Sequence, residues 1–119
     1  MTEDGVSITS RREGEVTTVT IGGEIDLLTA PRVRETLLAL ASDGRVNVVI
    51  DGRPITFIDA SGIRALIEAH AALKNDGSRL VMIPSRAVQR LHSLLELDGH
   101  LPTFVTADEA FPNIDRNDI

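Results

Sequence analysis

The sequence predicts a single α/β domain: a small mixed β-sheet of four to five strands packed with about four α-helices. An opening pair of β-rich runs is followed by alternating helical and strand periodicities, which is the pattern of a sheet joined through helices. Hydrophobic residues make up 42% of the chain but aromatic ones only 3%, so the core must be built from Val, Ile, Leu and Ala. A length of 119 residues with 25% charged residues is that of one compact unit. The domain is expected over residues 6–111, between a flexible N-terminus at 1–5 and a flexible C-terminal tail at 112–119.

Val6 to Arg12 and Val16 to Gly22 are short β-rich runs joined by Glu13-Gly14-Glu15, and they read as a hairpin that Gly22-Gly23 breaks off. Thr29 and Pro31 mark a helix start, after which Val33, Leu37, Leu40 and Ala41 fall on one face until Gly44. Val46 to Ile50 is too short for a helix and mostly apolar, so it is expected as a central strand buried on both faces and punctuated by Asp51-Gly52. A loop through Pro54 then leads to a helix from near Ser61 to about Asn75. Ile63, Leu66, Ile67, His70 and Leu73 form its apolar stripe, and Gly77 follows it. Arg79 to Ile83 is a further strand. Ser85 caps a helix carrying Val88, Leu91, Leu94 and Leu95, ended by Asp98-Gly99. Thr103 to Val105 is expected as a last short strand and Ala107 to Phe111 as a final helical turn, with right-handed crossovers between parallel neighbours.

Composition removes several classes of function. The absence of cysteine excludes a disulfide scaffold, a thiolate metal site and a cysteine nucleophile. Met1 to Gly5 is not a basic region followed by an apolar run, and no later stretch approaches membrane-spanning length, so a cytoplasmic protein without a membrane partner is expected. Twelve basic against eighteen acidic residues give a net charge of −6, which repels nucleic-acid backbones.

His70, His92 and His100 lack metal-ligand spacing, so neither a metal nor another cofactor is expected. His70 reads as a satisfied histidine at the core edge, and His92 and His100 as solvent exposed. A Ser61–His70–Asp59 triad fails because nine residues of helix separate serine from histidine by about 13 Å. No catalytic residues are assigned, and the chain is not expected to be an enzyme. Asp51 at the end of the third strand invites comparison with a response-regulator receiver. That reading fails because the first strand ends in Arg11-Arg12 and no lysine follows Lys74.

The segment Phe57 to Ile63 lies between the buried strand and a helix, which puts Ser61 at or near a helix N-terminus. Free N–H groups and the helix dipole favour a phosphate there. A serine in this place also serves as a plain N-cap, and the local residues leave both readings open. Asp26 and Asp59 are expected to converge near Ser61. They either position its hydroxyl and contact a partner, or satisfy loop amides and cap the helix, with Thr29 available as the cap of the first helix. Arg64 stands at i+3 from Ser61, where it meets a phosphate, and at i−4 from Glu68, the partner preferred here. Arg32, Arg34 and Glu35 read as a solvated face.

Gly23-Glu24-Ile25-Asp26 resembles the Gly-Glu-Leu-Asp signature that closes the second strand of STAS domains. Ile58-Asp59-Ala60-Ser61-Gly62-Ile63 resembles their Asp-Ser-Ser-Gly-Leu strand-to-helix segment, and Arg79 to Ala110 their C-terminal third. The resemblance runs from about Val6 to Phe111. It implies a STAS fold and the role of an anti-sigma factor antagonist, with Ser61 as phosphoacceptor. The implied partner is an anti-sigma factor with a serine-kinase fold, which binds the unphosphorylated antagonist, frees its sigma factor and phosphorylates Ser61. A phosphatase then resets the cycle. The implied contact surface comprises Asp26, Asp59, Ala60, Ser61, Gly62 and Arg64. Ala60 replaces the first serine of the family pattern, Arg64 a commonly small residue, and His100 a commonly apolar one. The alternative within the same family is an unphosphorylated scaffold of a larger assembly, such as a lipid-transport complex.

Overall fold

The hairpin forms because β1 (Val6–Glu13) and β2 (Val16–Ile25) pair antiparallel across a short Gly14-Glu15 reversal, from Val6 opposite Gly23 to Glu13 opposite Val16. The computed structural model describes residues 5–42, 44–106, 109 and 110. The strand expected to break at Gly22-Gly23 instead continues to Ile25. Gly23 takes φ +90°, the register shifts between Gly23 and Glu24, and outside carbonyls rescue the exposed amides. Pro54 O accepts Gly23 N–H at 3.1 Å, and Gly5 O accepts Glu24 N–H at 2.8 Å. A bulge of this kind bends a strand without ending it.

α1 (Ala30–Ala39) buries Val33 and Leu37 as its periodicity requires. It ends at Ala39, and Leu40 to Ser42 form turns before Gly44, so the glycine follows the helix at a distance. Arg32 departs from the solvated face assigned to it: it is half-buried and donates to Val6 O at 3.2 Å. β3 (Asn47–Gly52) lies between β2 and β5, with Val48, Val49 and Ile50 at 0% exposure, the central strand its composition predicts.

The segment after Pro54 is a strand, not the expected loop. β4 (Ile55–Ile58) rejoins β2 in parallel, burying Ile55 and Ile58. Thr20 pairs with Asp51, Gly23 with Ile55 and Glu24 with Phe57, so β3 and β4 act as one bent strand that takes one extra residue through the Arg53-Pro54 turn and a second at Thr56. Proline interrupts the pairing only locally. The turn is braced by Asp51, whose carboxylate accepts Arg53 Nε and Nη2, both at 2.9 Å. These hydrogen bonds hold the Asp51 carboxyl below the usual carboxylate range.

α2 (Ala60–Asn75) lies across the sheet and leads to β5 (Arg79–Pro84) and α3 (Arg86–Leu94). Its C-terminus closes as a Schellman motif, with Gly77 N–H to Lys74 O at 3.0 Å and Ser78 N–H to Leu73 O at 2.8 Å. The five-stranded sheet runs β1-β2-β3-β5, with β4 on β2. Ile21, Ile50, Leu80 and Met82 on one sheet face share a core with Leu37 of α1, Leu66 and Leu73 of α2, and Val88 of α3. A smaller cluster of Val16, Val49, Val81, Ile83 and Ala110 forms on the opposite face. Strand alternation explains the division, since Val49 and Val81 point away from their neighbours in sequence.

The C-terminal third differs in detail from expectation. Ser85 caps α3 through Val88 N–H at 3.2 Å, but Leu94 and Leu95 are 74% and 46% exposed. Val88 and His92, four residues apart, define the buried face, and the last turn rotates the leucines away from it. His92, expected in solvent, is therefore buried and donates Nε2–H to Leu101 O at 2.8 Å, whereas His100 is exposed. The strand expected at Thr103 to Val105 reduces to one parallel bridge between Thr103 and Met82, and Val105 is exposed. Of the expected last turn, Glu109 and Ala110 are helical, while Ala107, Asp108 and Phe111 lie outside the described residues. The expected tails also lie outside them, apart from Gly5. Among the described residues, no helix is long and apolar enough to cross a membrane.

His70 is half-buried, with Nδ1 3.2 Å from Leu80 O, and burial pushes its pKa below the usual histidine value. The unfolded chain therefore binds the His70 proton more readily than the folded one. Stability must fall as pH is lowered through the ordinary histidine pKa toward the depressed one. Denaturant unfolding between about pH 7.5 and pH 5 is expected to show this slope in the wild type and a shallower one in His70→Gln. Equal slopes would exclude His70 as the source.

Candidate functional site

The carboxyl ends of β2 and β4 meet the amino end of α2, and the contact is set by Gly62. A Cβ at this glycine would lie 2.6 Å from Ile58 Cγ1, 2.8 Å from Ile25 Cγ2 and 2.9 Å from Ile25 O. Only a residue without a side chain lets the helix come so close. Asp59 N–H reaches Ile25 O at 3.2 Å in the same contact, which joins the helix entry to the end of β2.

Asp59 is the N-cap of α2: its extended backbone turns the side chain onto Gly62 N–H at 3.0 Å, and its carbonyl accepts Ile63 N–H at 3.0 Å. The plain-cap reading of Ser61 is thereby replaced. Ala60 is the first helical residue and Ser61 the second. Ser61 is half-buried, and its hydroxyl makes no hydrogen bond among the described residues. The N–H groups of Ala60 and Ser61 belong to the first turn, where helix geometry supplies no acceptor.

Asp26 comes to the same pole because it follows Ile25, but its carboxylate is engaged locally. Oδ1 accepts Leu28 N–H at 3.0 Å and Thr29 N–H at 3.2 Å, while Ala30 N–H goes to the Asp26 carbonyl at 2.8 Å. This is the loop-amide role. Thr29, expected as a cap, makes no side-chain capping bond to α1. Its hydroxyl instead donates to Glu24 O at 3.0 Å and accepts Asp26 N–H at 2.9 Å. The two residues thus fix the loop from Glu24 to Ala30 from opposite directions.

Arg64 is exposed, and its expected partner Glu68 is taken by Arg34 of α1 at 3.1 Å. Among the described residues Arg64 has no ion pair, so its guanidinium stands open one turn beyond Ser61. His70 lies further along α2 on Leu80 O, away from Ser61, which removes the triad geometrically. No group of three or more potential metal ligands forms among the described residues.

Sequence reading missed the apolar part of this pole. Leu27 and Leu28 are 73% and 84% exposed on the loop that Asp26 shapes, and Phe57 is 49% exposed on β4 beside Glu24. Large apolar side chains gathered at one end of a small domain mark a contact surface. The pair Leu27-Leu28 fits neither the strand nor the helix periodicity beside it, and that misfit was the available signal. Phe57 is not marked in the sequence as a strand residue, because Pro54 just before β4 signals a loop.

The STAS family model described as "Mlab, STAS domain" matches residues 8–106. The anti-sigma-F factor antagonist RsfB of Mycobacterium tuberculosis is 25% identical over 111 residues, covering 93% of this chain and 91% of the relative. The anti-sigma-B factor antagonist of Staphylococcus aureus is 25% identical over 81 residues, 68% of this chain and 73% of that one. The crystal structure of an anti-sigma factor antagonist from Mycobacterium paratuberculosis matches with a TM-score of 0.82 at 25% identity, covering 96% of this chain and 97% of the other. A family match over most of the length, joined to a five-stranded sheet and helices in the same arrangement, leads to one conclusion: this chain belongs to the STAS domain family.

Proposed function

We propose that the chain is an anti-sigma factor antagonist whose unphosphorylated form binds an anti-sigma factor of serine-kinase fold, and that phosphate on Ser61 switches the binding off. The observation that carries this reading is the uncommitted Ser61 hydroxyl in the first turn of α2, with Asp59 already serving as the cap. The names of the relatives point to the same activity. In this reading the protein is a ligand and substrate rather than an enzyme, acts in the cytoplasm, needs no cofactor, and is reset by a phosphatase.

The proposed contact surface contains Asp26, Asp59, Ala60, Ser61, Gly62 and Arg64, with Leu27, Leu28 and Phe57 added from their exposure. The apolar side chains supply burial, and Asp26 supplies the loop shape that presents two of them. Phosphorylation adds about −1.5 to −2 charges to a surface that must lose water in the complex. The free first-turn N–H groups and Arg64 then hold the phosphate on the antagonist, where it opposes the partner.

Incubation with ATP and candidate anti-sigma kinases of the same genome is expected to place a single phosphate on Ser61, as read by mass spectrometry. Phosphorylated protein should bind the kinase at least about 30-fold more weakly, the scale of an unpaired charge left in an interface. Ser61→Ala should bind normally and resist labelling. Phosphate elsewhere, or phosphoprotein that binds as tightly as the unmodified form, would contradict the switch and favour the scaffold reading.

Leu28→Ser tests the apolar surface separately. Burying a leucine contributes about 1.5–3 kcal/mol, so the substitution should weaken kinase binding about tenfold or more in a calorimetric titration. At 84% exposure it should leave the unfolding temperature nearly unchanged. Unaltered affinity would place the contact elsewhere on the domain.

A further inference from the structure

We propose that a second site, at the pole opposite Ser61, binds an oligophosphate anion through Arg12, Arg45 and Arg79. A cleft of about 860 Å³ opens at the amino ends of the parallel strands, and these arginines line it with Glu15, Thr17 and Asn47. Its position follows from topology. Arg12 lies near the end of β1, Thr17, Asn47 and Arg79 near the starts of β2, β3 and β5, and Arg45 in the connection from α1 to β3. The proposal is independent of the Ser61 reading, because that serine sits at the other end of these strands.

Local charge carries the argument. The chain as a whole is −6, yet among the described residues the cleft gathers three guanidinium groups against the carboxylate of Glu15. Among the described residues, Arg45 and Arg79 have no ion-pair partner. Arg12, which also lines the cleft, directs Nε to Gly14 O at 3.2 Å. Three like charges set against a single described carboxylate leave a net repulsion, which a multivalent anion relieves. Guanidinium forks match phosphate oxygens in pairs, which makes arginine suited to this ligand.

The cleft is also braced. The buried Ser78 hydroxyl accepts Val46 N–H at 2.9 Å, and Arg79 N–H goes to Val46 O at 3.0 Å, tying the two connections that form the wall. The aliphatic stem of Arg45 lies over Gly77, in the space a side chain there would occupy. Among the described residues, Leu40 and Val46 are the large apolar side chains in the lining, and none is aromatic. A nucleobase would find no ring to stack on, so recognition falls to the phosphate chain.

Isothermal titration of the full chain with sodium tripolyphosphate and, separately, with ATP tests this. Both are expected to bind once per chain, with affinities within about threefold of each other, and to weaken as salt rises from roughly 50 to 300 mM. Arg45→Gln/Arg79→Gln should lower tripolyphosphate affinity about tenfold or more with little change in unfolding temperature. Arg45→Gln alone, at an exposed position, should give a smaller loss and stands in if the double variant misfolds. Ser61→Ala should bind tripolyphosphate as the wild type does. Absence of binding, arginine variants that bind normally, or loss of binding in Ser61→Ala would overturn the proposal. ATP binding more than tenfold tighter than tripolyphosphate would also overturn it, by moving recognition to the nucleoside.

Discussion

The close seating of Gly62 against Ile25 and Ile58 is the constraint on which the functional pole depends. Because the α2 backbone comes this near to the end of β2, Asp59 N–H reaches Ile25 O and the Asp59 carboxylate turns back onto Gly62 N–H. Capping is thus completed by the residue before the helix, which leaves the Ser61 hydroxyl without a structural task. A methyl group at position 62 would push the helix off the sheet and disturb capping, strand pairing and serine presentation together. The glycine in the Ser-Gly pair is therefore a packing requirement, distinct from the chemistry of the serine beside it.

The rest of the fold supports this arrangement by dividing labour between the two ends of the strands. At the carboxyl ends, Asp26 and Thr29 fix a short loop that holds two leucines in solvent, and Phe57 rises from β4 alongside. That pole combines apolar surface with an open serine and suits a protein partner. At the amino ends the lining is polar and locally cationic. A buried core of aliphatic residues between the sheet and the helices separates the two regions, so a charge added at one pole has no direct contact with the other.

The general architecture was legible in the sequence because it rests on periodicity. The Val16 to Ile21 alternation, the apolar Val46 to Ile50 run and the stripe through Ile63, Leu66 and Leu73 each occupy the expected element. β4 was not legible, because Pro54 signals a loop and the pairing that overrides it lies far away in β2. Leu94 and Leu95 were misread because they are apolar and near the helical phase, yet the helix ends just where they would turn inward. At the site, the place of Ser61 near a helix start could be read from spacing. Its freedom from capping could not, since that depends on which neighbour reaches Gly62 N–H first. Arg64 shows the same limit, as Glu68 is claimed across the helix pair by Arg34. Arg12, Arg45 and Arg79 are far apart in sequence, and the net charge hid their convergence.

Because Ser61 lies on a helix start already capped by Asp59, we propose that a phosphate there changes the surface and not the fold. The most direct measurement compares amide NMR spectra of the unmodified and Ser61-phosphorylated protein. Shifts are expected to concentrate at Ala60, Ser61, Gly62 and the loop from Asp26 to Thr29, with the amides of β3 and β5 unmoved. Shifts spread through Val48 to Ile50 and Leu80 to Ile83 would show that phosphate repacks the core, and would contradict the proposal.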